Sequence, residues 1–323
     1  MRTGELAERK KTDRKYLLER IDEAAVAQIY ADGFDELPLD QKTLIWHLYQ
    51  AALVGRDIFY DQRYAHNLEM REVLEEILTH SNDIDAATLQ EIQRYTKLFW
   101  INTGPYNSLT ARKFVLKCTP QAFAVAARQA HANGASFPVS YGESIDGMLE
   151  RLQPMFFDQS FDPVVTNKSP GPDKDILASS ANNLYVDVTM ADLDGLTERY
   201  PLNSRLVKSD GGLVEEVYRI DGRYDAQIRR IAGHLEAAIP FASAPTADAL
   251  RALVRFYTTG DDADRAAYDI AWVHDRDSPV DTINGFIEVY MDPRGIKGSW
   301  ESLVFYVNRE KTERIRTRCT PER

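Results

Sequence analysis

Two residues near the C-terminal end have the types and spacing to hold a charged organic ligand. Glu288 and Tyr290 stand two apart in GFIEVYM (285–291), a short run rich in β-branched and aromatic residues. If that run is a strand, alternation sends Phe286, Glu288 and Tyr290 to one face and Ile287, Val289 and Met291 to the other. A carboxylate and a phenol then lie roughly 7 Å apart at Cα. The carboxylate can accept hydrogen bonds from an ammonium group, and the phenol can donate to a peptide carbonyl. Together they suit the start of a peptide chain. Taken alone, they read first as an acidic and an aromatic residue on a solvated sheet face.

Other chemistry-bearing residues are scattered. The six histidines, His47, His66, His80, His131, His234 and His274, show no ligand spacing and read as helix-face or surface residues. Asp261, Asp262 and Asp264 lack the later glycine and glutamate of a calcium loop and read as the acidic start of a helix. His274-Asp275-Arg276-Asp277 reads as a solvated loop before the strand. No nucleophile elbow, phosphate loop or dinucleotide fingerprint occurs. Cys118 and Cys319 form no CxxC pattern and no disulfide framework is expected.

The elements that must position Glu288 and Tyr290 follow from patterning. Leu17, Ile21, Ala24, Ala25 and Ile29 recur at helical spacing and predict a first helix. Further helices are expected at about 41–54 behind Asp40, at 67–79, and at about 85–100 up to the Gly104-Pro105 turn. Thr119-Pro120 should open another that ends at Asn133-Gly134, and Ser144 should cap one over 144–157. Helical stripes return at 224–239 and 246–257, with NKSPGPDKD (167–175) as the clearest loop. Strand signals come late: VEEVYRI (214–220), then GFIEVYM and WESLVFYV (300–307) as a hairpin around DPRGIKGS. Leu303, Phe305 and Val307 are the expected core partners of the apolar face of the first hairpin strand. The fold class is therefore α+β: a helix-rich N-terminal half, then a small antiparallel β-sheet or barrel core with packed helices.

Fifty acidic and thirty-nine basic residues give a formal net charge of −11, which argues against a general nucleic-acid binder. No apolar run is long enough to span a bilayer, and the charged start lacks the apolar stretch of a signal peptide. A cytoplasmic location is the expectation.

NGFIEVYMDPRGIKGSWESLVFYVN resembles the dipeptidyl peptidase III pattern Gly-Phe-Ile-Glu-x-Tyr-x-Asp-Pro-x-Gly-x-x-Gly-x-x-Glu. Gly285, Phe286, Ile287, Glu288, Tyr290, Asp292, Pro293, Gly295, Gly298 and Glu301 fall in register. GPYNSLTARKF is similar to a second family segment through Gly104, Tyr106, Ser108, Lys113 and Phe114, and the resemblance runs from about Tyr16 to Asn308. The resemblance implies a two-lobed zinc exopeptidase that releases dipeptides from free N-termini of short peptides. Its lower lobe has a small barrel-like core along which the peptide lies extended. It also implies that Glu288 binds the substrate's ammonium and Tyr290 its backbone.

The family's zinc helix, His-Glu-x-x-x-His, has no counterpart here, since none of the six histidines is followed by glutamate, and Glu-Glu-x-x-x-Asp is likewise absent. The expected organisation is a flexible N-terminus (1–15), a substrate-binding lobe (16–308) and a truncated or frayed tail (309–323) leading toward a missing C-terminal catalytic lobe. No catalytic residue and no metal ligand is assigned to this chain, and zinc is expected in the full-length family, not bound here. Short peptides are the expected partners. A non-catalytic peptide-binding module derived from that lobe is the alternative, and a metal-free hydrolase built on a carboxylate pair is a third reading.

Overall fold

A computed structural model describes residues 14–319; most of the expected flexible N-terminus (1–15) lies outside the described residues, as do positions 320–323. The chain begins with β1 (Leu17–Ile21) and β2 (Ala24–Ala27). Helices α1 (Leu39–Arg63), α2 (Asn67–Thr79), α3 (Ala86–Asn102), α4 (Pro120–Ala132) and α5 (Ile145–Phe157) follow. A three-stranded sheet holds β3 (Tyr185–Val186), parallel to β4 (Ser204–Ser209), which pairs antiparallel with β5 (Gly212–Val217). Then come α6 (Asp225–Ala238), α7 (Ala244–Thr259) and α8 (Asp262–His274), the hairpin β6 (Val280–Glu288) and β7 (Ser299–Tyr306), and α9 (Arg309–Cys319). The architecture is α+β, with three separate small sheets and no closed barrel among the described residues.

Local chemistry sets most helix ends. Asp85 accepts from Thr88 N at 2.9 Å, Thr119 from Ala122 N at 3.1 Å and Ser144 from Gly147 N at 3.1 Å, each satisfying an orphan donor of a first turn. Asp261 stands at the N-cap of α8 with Asp262 and Asp264 in its first turn, so the acidic cluster is a helix start.

Residues 16–30 depart from the expected helix. They form the β1–β2 hairpin, closed at Ile21↔Ala24 by Asp22, whose φ of 50° is a conformation that Asp tolerates in tight turns. The supposed apolar stripe has little to pack on: of its five residues only Ile21 is buried. Polar ties hold the hairpin to α3 instead, Lys97 to Glu19 at 2.6 Å and Arg94 to Asp22 at 2.7 Å.

Helix α1 also runs past its expected end near Val54, and it joins the two main cores. Leu44, Leu48, Ala51 and Ile58 pack with α6, α7 and the β6–β7 hairpin, while Tyr60 and Tyr64 enter the core of α2–α5. Gly55 serves as a seat: a Cβ there would fall 1.9 Å from the Trp300 indole of β7. Gly→Ala inside a helix ordinarily gains about 0.5–1 kcal/mol. Here Gly55→Ala is expected to lose about 3 kcal/mol through overpacking, which a shifted urea midpoint at unchanged slope would show.

Candidate functional site

The connection between β6 and β7 is built around Asp292, which is fully buried. Its Oδ1 accepts from Arg294 N at 3.0 Å, and Oδ2 from Ile296 N and Lys297 N at 2.8 Å each and from Tyr185 Oη at 3.0 Å. One carboxylate thus templates the whole turn. Gly295 takes a φ of +72°, and a Cβ on Gly298 would lie 2.9 Å from the Phe286 backbone. The Asp-Pro-x-Gly-x-x-Gly string is therefore scaffold, which explains its fixed spacing. Beneath it, Lys297 is fully buried and donates to Glu198 Oε2 at 2.6 Å and Ser204 Oγ at 3.1 Å, while Arg294 donates to Glu198 Oε1 at 2.5 Å.

The strand above does not alternate evenly. Register runs Phe286↔Trp300 and then Glu288↔Ser299, so Ile287 is an extra residue, a β-bulge. Before the bulge, Thr282, Asn284 and Phe286 face inward; Phe286 packs on Tyr218 and Trp300 at ring distances of 4.9 and 5.6 Å. After it the faces exchange: Met291 is buried, and Glu288 and Tyr290 are exposed. Phe286 therefore does not share a face with Glu288, contrary to simple alternation. The same register turns Trp300, Val304 and Tyr306 toward the core and leaves Leu303, Phe305 and Val307 44–45% exposed, so these three are not the core partners expected of them. Arg265 of α8 donates to the Phe286 carbonyl at 2.8 Å, and Ser299 Oγ to the Glu288 carbonyl at 3.0 Å, fixing the bulge from both sides.

Tyr290 lies just beyond β6, in the turn, and is 66% exposed. Its phenol is pushed above the ordinary value, by partial burial first and then by the negative charges of Glu301 and Glu288, against the Arg63 guanidinium. Two carboxylates, a phenol and a cation thus gather at one end of the hairpin. Glu301 is the register partner of Gly285 and is legible from sequence only as a motif position. Arg63 had no local signal. It arrives with its neighbour Gln62, whose Nε2 donates to Gly298 O at 3.1 Å and whose Oε1 accepts from Trp300 N at 2.7 Å, pinning the end of α1 to the start of β7.

The second motif is also structural. Gly104 (φ +126°) leaves room for Asn67, and Tyr106 is buried with its hydroxyl donating to Asp162 O at 2.9 Å. Ser108 N donates to Asn102 Oδ1 at 2.9 Å, and Phe114 packs on Tyr95 at a ring distance of 5.5 Å. Lys113, only 2% exposed, donates to Phe161 O at 2.7 Å and Pro154 O at 3.2 Å. Burial pushes its ammonium down to about 8, with Asp162 and Asp158 pulling the other way. The folded value is below the unfolded one, so the unfolded chain binds more protons between them and Lys113 makes stability rise as pH climbs from about 8. Between pH 7.5 and 9.5 the wild type is expected to gain about 1–2 kcal/mol relative to Lys113→Met, read from urea midpoints at both pH values.

The histidines remain dispersed except for His47 on α1 and His234 on α6, whose rings lie 5.9 Å apart. Among the described residues no three His, Cys, Asp or Glu side chains converge as a metal site. No helix among them is long and apolar enough to cross a membrane.

The fold is that of dipeptidyl peptidase III structures. That from Caldithrix abyssi superposes with a TM-score of 0.58 at 19% identity, covering 89% of this chain and 43% of that one. The enzyme of Corallococcus sp. strain EGB gives 0.57 at 16% identity, covering 90% of this chain and 43% of that one. In sequence, residues 179–319, which include the hairpin, match the model of Peptidase family M49. Dipeptidyl peptidase 3 of Dictyostelium discoideum is 30% identical over 102 residues, 31% of this chain and 14% of that protein. The family match is confined to residues 179–319 and supports the resemblance that the hairpin motif carries. The chain spans less than half the length of these relatives.

Proposed function

We propose that this chain holds the free N-terminus of a short, extended peptide and forms the substrate-binding portion of a zinc-dependent dipeptidyl peptidase. Glu288 accepts from the peptide's α-ammonium, and Tyr290 donates to a carbonyl of its first residues. Beyond them, main-chain hydrogen bonds along an exposed strand would carry the rest of the peptide with little demand on its sequence. The observation that supports this reading is the bulge, which brings Glu288 and Tyr290 out together beside Glu301 at the end of β6. The 323 residues contain no His-Glu-x-x-x-His string, so hydrolysis is not assigned to them. Titrating the chain calorimetrically with Ala-Ala-Ala-Ala and with its N-acetyl form tests the reading. Binding that disappears on acetylation supports it; equal binding of both forms overturns it.

A further inference from the structure

Arg63 is a cation without a carboxylate. It is the last residue of α1 and is only 9% exposed, yet no ion pair to it is found among the described residues. Nη2 donates to Tyr106 O at 2.9 Å, and Nε is buried without a hydrogen-bond partner. Near the hairpin, Lys297 and Arg294 are answered by Glu198, Arg205 by Glu216, and Arg223 by Asp61 and Glu216, whereas Lys113 donates to carbonyls and Arg219, like Arg63, keeps an unpartnered Nε. The C-terminal end of a helix offsets part of a positive charge. It does not satisfy the planar fork of a guanidinium, which matches a carboxylate through two parallel hydrogen bonds.

The position of Arg63 gives that fork a purpose. Gln62 fastens the end of α1 to Gly298 and Trp300, on either side of Ser299, and Ser299 is the register partner of Glu288. Arg63 therefore sits beside the hairpin end that carries Glu288 and Tyr290, and its charge reaches the Tyr290 phenol. We infer that Arg63 receives a carboxylate of the bound peptide, so that the site favours peptides carrying a negative group within a residue or two of the free amine. This rests on the reading of Glu288 as the ammonium acceptor. Two sources share that chemistry, an acidic side chain at the first residue and the C-terminal carboxylate of a dipeptide.

Two pairs of peptides separate the sources when titrated into the full chain: Glu-Ala-Ala-Ala-amide against Gln-Ala-Ala-Ala-amide, and Ala-Ala against Ala-Ala-amide. The carboxylate form of at least one pair is expected to bind about tenfold more tightly to the wild type. Arg63→Met should bring that ratio to about one while binding still requires a free amine, a change that lost packing alone would not produce. Arg63→Lys, which keeps the charge but not the fork, should give an intermediate ratio and serves if the methionine variant does not fold. Ratios near one in both pairs for the wild type, with the free amine still required, would overturn the role of Arg63 and leave the ammonium site standing. Binding indifferent to the amine, or no binding of any peptide, would overturn both.

Discussion

Glu288→Ala is expected to weaken binding of a free-amine tetrapeptide by about thirtyfold, the equivalent of about 2 kcal/mol for a charge-assisted hydrogen bond lost at a binding site. The effect is large because the ammonium is the one formal charge every such peptide brings. It is bounded because Glu288 is exposed and Glu301 remains beside it, so part of the field survives the substitution. Tyr290→Phe should cost only a few-fold, since it removes one neutral hydrogen bond and keeps the ring. Calorimetry on the two variants should therefore rank them Glu288 before Tyr290, and added salt should weaken the wild type more than Glu288→Ala. A Glu288→Ala variant with wild-type affinity for free-amine peptides would remove Glu288 from the site.

The second large effect lies under the turn. Glu198→Ala is expected to destabilise the fold by about 3–5 kcal/mol, because it strands Lys297 in a fully buried position and also releases Arg294. Burial already holds the Lys297 ammonium below its ordinary value, and attraction to Glu198 only partly restores it. The carboxyl of Glu198 is held below its ordinary 4.5 by these two cations, against the opposing effect of its own burial. Its contribution is therefore present above the unfolded value and is lost as pH falls through the depressed folded one. Urea unfolding of wild type and variant at neutral pH should show the gap, and it should narrow at strongly acidic pH. Because this network seats the turn that ends at Tyr290 and Ser299, peptide affinity should fall with stability.

Much of the fold could be read from residue order, where chemistry is local. Asp85, Thr119 and Ser144 cap helices through their own side chains, and the Asp292 turn announces itself through Pro293, Gly295 and Gly298. What was illegible depends on partners distant in sequence. Period-2 alternation carries no mark of the extra Ile287, so Phe286 and the core partners of the hairpin fall on the opposite faces from those it predicts, while Glu288 and Tyr290 stay exposed. Residues 16–30 have helical periodicity, but only Ile21 of that stripe is buried and ion pairs tie the segment to α3 as a hairpin. The close approach of Gly55 to Trp300 has no local mark, since the two lie 245 positions apart. Glu288 and Tyr290 were visible through their motif; Arg63, held in place by a glutamine clamped to β7, was not.

The central claim is a contact between a peptide's first nitrogen and one carboxylate. A crystal structure of the chain with Ala-Ala-Ala-Ala measures it. The α-ammonium is expected about 2.7–2.9 Å from a Glu288 carboxylate oxygen, with Tyr290 Oη within hydrogen-bond reach of the peptide backbone. A peptide bound elsewhere, or one with its amine directed to solvent and its side chains or C-terminus at Glu288, would contradict the account.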